Sequence, residues 1–183
     1  MKKLAILTAF VAVPLLFFVG SAAVADDHHH GGLTATLRGF EEVPAISTTA
    51  TGSFSAQLNG NTIAFTLTYS NLEAAATAAH IHFAQRSVNG GVIAFLCGGG
   101  GKPACPASGT VSGTISASDI IGPAEQGIAA GELVEAVRAI TGGVAYVNVH
   151  SSKFPNGEIR GQIGAGNEIP PGHGENDQGE DED

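Results

Sequence analysis

From residue 33 onward the apolar side chains return at every second position, and that period constrains the fold more than any other feature of the chain. In Gly52-Ser53-Phe54-Ser55-Ala56-Gln57-Leu58, and again in Thr62-Ile63-Ala64-Phe65-Thr66-Leu67-Thr68-Tyr69, large apolar residues alternate with small or polar ones. On a strand successive side chains point to opposite faces, so each stretch buries one face and wets the other. Asn59-Gly60-Asn61 stands between them, and Asn and Gly tolerate the positive φ of a tight turn, so the two strands are expected to pair as an antiparallel hairpin. Further strands are expected over residues 33–37, 78–83, 92–96, 109–115, 143–150 and 158–163, with Gly, Asn, Ser or Pro at the breaks. Only residues 132–140 carry a helical period, with Leu133, Val134, Val137 and Ile140 on one face and Glu132, Glu135 and Arg138 on the other. The expected fold class is all-β: an antiparallel Greek-key β-sandwich of about eight strands with one short helix.

The ends of the chain read differently. Lys2 and Lys3 precede an uncharged apolar run from Leu4 to Val19, and Ala23-Val24-Ala25 supplies the small residues that a signal peptidase accepts. Residues 1–25 are therefore expected to be a signal peptide, since about 20 apolar residues are needed to span a bilayer and this run is shorter. Residues 26–32 form a His-rich leader, 33–164 a single domain, and 165–183 an acidic tail ending Gly-Glu-Asp-Glu-Asp that is too polar and Gly/Pro-rich to fold. Cleavage removes two of the 8 basic residues and leaves six against 17 acidic ones, a formal charge of −11. Nucleic acid is excluded as a partner on that balance, and the mature chain has no second apolar run to hold it in a membrane. The expected location is secreted or periplasmic. An oxidising compartment makes a disulfide the expectation for Cys97 and Cys105, the only 2 cysteines, closing a loop worth roughly 2 to 3 kcal/mol.

Seven histidines in a chain with so few charges point toward metal chemistry, because neutral imidazole is a common transition-metal ligand. His80 and His82 flank Ile81 on one expected strand, so both rings share a face while Ile81 turns to the core. Tyr146, Asn148 and His150 share a face of another strand. If the two strands are neighbours, three imidazoles converge within the roughly 8 Å that a shared ion at bonds of about 2 Å requires. The other reading is that the rings hydrogen-bond backbone or carboxylate groups at strand ends. Glu158 and Arg160 also share a strand face, either as an ion pair with each other or as groups that orient a histidine together with Asn148. A second metal candidate is the new N-terminus, Asp26-Asp27-His28, whose amine, two amides and imidazole suit square-planar Cu(II) or Ni(II). Glu41 and Glu42 are expected to flank a strand end before Pro44. No Ser/His/Asp or Cys/His nucleophile set is present on this reading, with both cysteines oxidised.

Leu37-Arg38-Gly39-Phe40-Glu41-Glu42-Val43-Pro44, Ala79-His80-Ile81-His82, Asn89-Gly90, Tyr146-Val147-Asn148-Val149-His150 and Pro155-Asn156-Gly157-Glu158-Ile159-Arg160-Gly161-Gln162 together resemble the CHRD domain. That extracellular domain is named from the animal protein chordin and also occurs singly in secreted bacterial proteins. The resemblance implies a fold and a compartment. A fainter likeness is to copper/zinc superoxide dismutase, an eight-stranded β-sandwich in which a His-x-His strand and a later strand-end His bind copper. His80, His82 and His150 match those ligands in kind and order, and Arg160 is the one candidate for the substrate-guiding arginine, but no set for zinc lies between them. The function expected is an exported CHRD binding module whose partner is a metal ion, copper or zinc, or an extracytoplasmic protein. The alternatives are a copper-dependent redox enzyme and a purely structural or adhesive domain.

Overall fold

The computed structural model describes residues 32–166. The expected signal peptide, the expected leader up to residue 31, with Asp26, Asp27 and His28, and the expected tail beyond residue 166 lie outside the described residues. The strands are β1 (Leu33–Arg38), β2 (Thr51–Asn59), β3 (Thr62–Ser70), β4 (Ala76–Phe83), β5 (Gly91–Cys97), β6 (Gly109–Ile115), β7 (Ala145–Ser151), β8 (Ile159–Gln162) and the short β9 (Gly164–Ala165). One helix, α1 (Leu133–Thr141), precedes β7. All-β with a single short helix is what the alternation predicts. Residues 143–144, 158 and 163 fall just outside the strands, and β9 carries too short a pattern to be seen in sequence.

The hairpin forms as expected, with Asn59 paired to Thr62 and Gly60 in the left-handed region at φ 57°. Every strand pair is antiparallel, in the order β5-β4-β7-β8-β1-β2-β3-β6, with β9 added against β1. The pairing of β8 with β1 rests on one register position, Arg38 opposite Arg160, so two four-stranded halves meet at a narrow join. The sheet curls until its end strands β5 and β6 lie close together, nearly closing a barrel. Inward residues of both halves meet across this space: Leu37, Phe54, Phe65 and Leu67 from one, Ile81, Ile93, Val147 and Ile159 from the other. The helix covers one end with Ala136, Ala139 and Ile140. Val134, expected on that face, is 72 % exposed because it lies about 200° around the helix from Ala136.

A disulfide joins Cys97 to Cys105, with Cα atoms 5.0 Å apart. It ties the end of β5 to a loop that reaches the other end of the sheet. Tyr69 on β3 donates its hydroxyl proton to Pro106 O at 2.6 Å, and Lys102 donates to Thr114 O on β6 while pairing with Asp119 at 2.7 Å. The staple thus spans the seam that strand pairing leaves open. Replacing both cysteines with serine is expected to cost about 2 to 3 kcal/mol, read as a lower urea midpoint at unchanged slope; an unchanged midpoint would remove the staple from the account.

Candidate metal centre

Strands β4 and β7 pair with Ala78 opposite His150, His80 opposite Asn148 and His82 opposite Tyr146. This adjacency is what sequence periodicity cannot supply, and it brings the three imidazoles onto one surface. Ring centroids stand 4.7 Å apart for His80 and His150, 5.3 Å for His80 and His82, and 6.4 Å for His82 and His150. One nitrogen from each ring lies within 4.8 Å of the others. Two bonds of about 2.1 Å set the nitrogens about 3.4 Å apart at a tetrahedral angle and at most about 4.2 Å apart, so a shared ion requires a pair at the 4.8 Å limit to close by roughly 0.6 to 1.4 Å. On its other side β4 meets β5 with register shifts between Ala79 and His80 and between Ile81 and His82. Such irregularities re-aim side chains, and here they lie beside both ligand candidates.

The face is drier than an alternating strand suggests. Ile81 is fully buried as predicted, but His80 and His82 are only 9 % and 8 % exposed, and His150 is half-buried at the rim. Phe95 on β5 meets the His80 ring edge-on at 4.4 Å, and Tyr146 stacks on His82 at 4.7 Å with the planes 5° apart. Burial therefore dominates the protonation of the rings. It holds His80 down to about 3, helped by the neighbouring rings of His150 and His82. It holds His82 down to about 4 against the Gly90 carbonyl, which favours the proton. His150 is lowered as well, by burial, although its bond to the Pro155 carbonyl works in the opposite sense. All three are neutral at neutral pH, the state that binds metal.

Main-chain carbonyls then decide which nitrogen of two rings carries the proton. A carbonyl only accepts, so His82 Nδ1 donates to Gly90 O at 2.9 Å and His150 Nδ1 donates to Pro155 O at 2.9 Å. Their Nε2 atoms are left with lone pairs facing the shared space. Position 90 is confined to glycine, since a Cβ there would lie 1.8 Å from Phe83 O. His80 Nδ1 donates to His150 Nε2 at 3.0 Å, while Asn148 Oδ1, itself only an acceptor, stands 3.1 Å from the same Nε2 and adds a further lone pair beside it. The Nε2 atoms of His80 and His82 are buried without a hydrogen-bond partner among the described residues. Several lone pairs thus converge with one ring proton between them, an arrangement that a cation satisfies.

The structure separates the supporting residues that share expected faces. Asn148 touches the centre directly through His150. Arg160 reaches it through Tyr146: its guanidinium carbon lies 3.4 Å from that ring's centroid, so His82, Tyr146 and Arg160 form one column. The guanidinium is spent on Asn89 Oδ1, Val88 O and Gln85 O, and at 2 % exposure it is not placed to guide an anion from solvent. Glu158 forms no ion pair with Arg160. It is fully buried and accepts from Thr48 Oγ1 at 2.9 Å and Glu73 N at 2.8 Å, away from the rings. Phe95 is a site residue that the sequence leaves unmarked, and Tyr146 is placed by the sequence on the shared face but given no role there. Tyr146 sits two residues before Asn148 on the same face, and that spacing was the available signal.

The model of the CHRD domain family matches residues 33–163, which hold β1 to β8 and the helix. The chain belongs to the CHRD family. No curated protein matches it significantly. The CHRD match begins at β1 and ends just after β8, so the three histidines and the column behind them all lie inside the domain. No helix among the described residues is long and apolar enough to cross a membrane.

Proposed function

We propose that this is an exported CHRD binding module that holds one transition-metal ion, copper or zinc, through His80, His82 and His150. The observation that carries the reading is the convergence of three neutral imidazoles, two with their proton fixed on the far nitrogen by backbone carbonyls. A donor set of nitrogen alone, with no thiolate or carboxylate, suits copper or zinc better than calcium or magnesium. Phe95 and Tyr146 shield the ligands from water, and Asn148 Oδ1 stands beside His150 Nε2. Residues 1–25 supply the export signal on this reading, and Asp26-Asp27-His28 is a second, separate copper or nickel candidate at the processed N-terminus.

The test is metal content by mass spectrometry on untagged protein from its native compartment, beside a His80→Ala/His82→Ala variant and one lacking residues 26–30. Stoichiometric copper or zinc that disappears in the first variant and persists in the second is the expected result. Loss only in the second moves the ion to the leader. No metal in any sample leaves a protein-binding or structural CHRD domain and sinks the centre.

A further inference from the structure

Glu42 is a buried acid that the histidine centre does not use. The sequence presents Glu41 and Glu42 as equivalent acids at a strand end, but the structure divides them. Glu41 pairs with Arg86 at the surface, whereas Glu42 is 6 % exposed and its Oε1 has no hydrogen-bond partner among the described residues. Gly157 lies against that carboxyl, and a Cβ there would sit 2.5 Å from Oε1, at a φ of +123° that side chains rarely adopt. Beside them lies a pit of about 150 Å³ whose lining includes Glu42, Pro44, Ile46, Lys153, Phe154, Pro155 and Gly157. Pro44 and Pro155 are exposed at its rim, and Glu42 and Gly157 are buried at its floor.

Nothing described neutralises this acid by direct contact. Arg160 attracts it from a distance, but its guanidinium is committed to Asn89 and the 85 and 88 carbonyls. Burial outweighs that attraction and the Val43 amide, and pushes the Glu42 carboxyl up to about 7. Lys153, the cation in the lining itself, is paired with Glu73 and lies over the Phe154 ring, 5.3 Å from its centroid, rather than on Glu42.

We propose that the pit receives a primary ammonium group, the end of a lysine side chain on a partner protein, with Glu42 Oε1 as its acceptor. A single unpartnered oxygen suits a point charge with rotatable donors, while a planar guanidinium calls for two acceptors side by side. Ile46, the two prolines and Phe154 form apolar walls along which a four-carbon stem can lie, as lysine stems do on apolar surfaces. Placing a cation beside the buried carboxyl compensates the charge that burial penalises. The pit shares Pro155 with the histidine centre, through the carbonyl that accepts from His150 Nδ1, but uses none of the three imidazoles.

The test is an amide NMR titration of the mature chain with Nα-acetyl-lysine methylamide, run beside the norleucine analogue, which keeps the stem and lacks the ammonium. Saturable shifts at Val43, Phe154 and Gly157 are expected with the lysine probe, at least about tenfold weaker with norleucine and in a Glu42→Gln variant. Equal response to norleucine, or an unchanged response in Glu42→Gln, overturns the proposal, as does silence of all three amides. Should Glu42→Gln fail to fold, the side-chain carboxyl carbon of Glu42 in the unaltered protein decides the matter: it must move with lysine and stay still with norleucine.

Discussion

Arg160→Ala is expected to cost the domain about 3 to 5 kcal/mol, the range for removing one member of a buried charged network. Few surfaces of a guanidinium are used so fully. Its donors satisfy Asn89 Oδ1 at 3.1 Å and Val88 O at 2.7 Å, its face lies on Tyr146, and it sits at the one register position that joins the two halves of the sheet. Alanine leaves those acceptors unpaired, opens a cavity and leaves Glu42 without its attracting charge. Since domains of this size are stable by only about 5 to 15 kcal/mol, the shift should dominate a urea unfolding curve. Arg160→Met keeps much of the stem and loses every donor, so it separates packing from hydrogen bonding. A loss below about 1 kcal/mol in Arg160→Ala would mean the network is not held as described. Loosening Tyr146 also frees His82, so metal affinity should fall roughly 10- to 100-fold in the methionine variant.

The second large effect is on acid stability of the metal-free protein. His80 and His82 have folded values of about 3 and about 4 against 6.5 for a free imidazole, so the unfolded chain takes up both protons first. The stability they protect is complete above pH 6.5 and is lost progressively as pH falls, until the folded rings protonate near 4 and 3. Glu42 acts in the opposite sense. Its folded value near 7 against 4.5 means the folded state holds a proton that the unfolded state has released, so acidification from pH 7 toward 4.5 stabilises. Between pH 7 and 5 the two rings together remove about 4 kcal/mol and Glu42 returns about 2, a net loss of about 2. A His80→Asn/His82→Asn variant should lose that sensitivity, with a pH response about 4 kcal/mol more favourable over the same interval. Urea midpoints at the two pH values, in chelator, measure it. Parallel losses in both proteins would contradict two buried neutral rings.

Local patterns carried much of this fold. Alternation located the eight main strands, Asn59-Gly60-Asn61 the hairpin, and a helical period α1, because each is dictated by residues near one another in sequence. The matching faces of His80 with His82, and of Tyr146, Asn148 and His150, follow from the same period of two. Strand neighbours do not. The pairing of β4 with β7 joins residues about 70 positions apart, as in the contact between His80 and His150, and is set by how the whole sheet curls. Glu158 and Arg160 show the same limit: a shared strand face placed them alike, yet one turns to Thr48 and the other to Tyr146, partners that only the assembled sheet brings near. Glu42 was hidden for a different reason. It follows the end of β1 in a 3-10 turn, Gly39–Glu41, where no strand period applies and adjacent acids can face opposite ways.

The carbonyls of Gly90 and Pro155 have a consequence for how the centre can change. A proton placed by main chain is indifferent to the identity of surrounding side chains, so point substitutions in the two loops can shift the rings but cannot delete the groups that choose their tautomers. Only altering the length or path of those loops can do that. The donor residues are therefore the exchangeable part of this site and their electronic setting the inherited part: a different set of ligands grafted at 80, 82 and 150 would enter a frame already wired for imidazole.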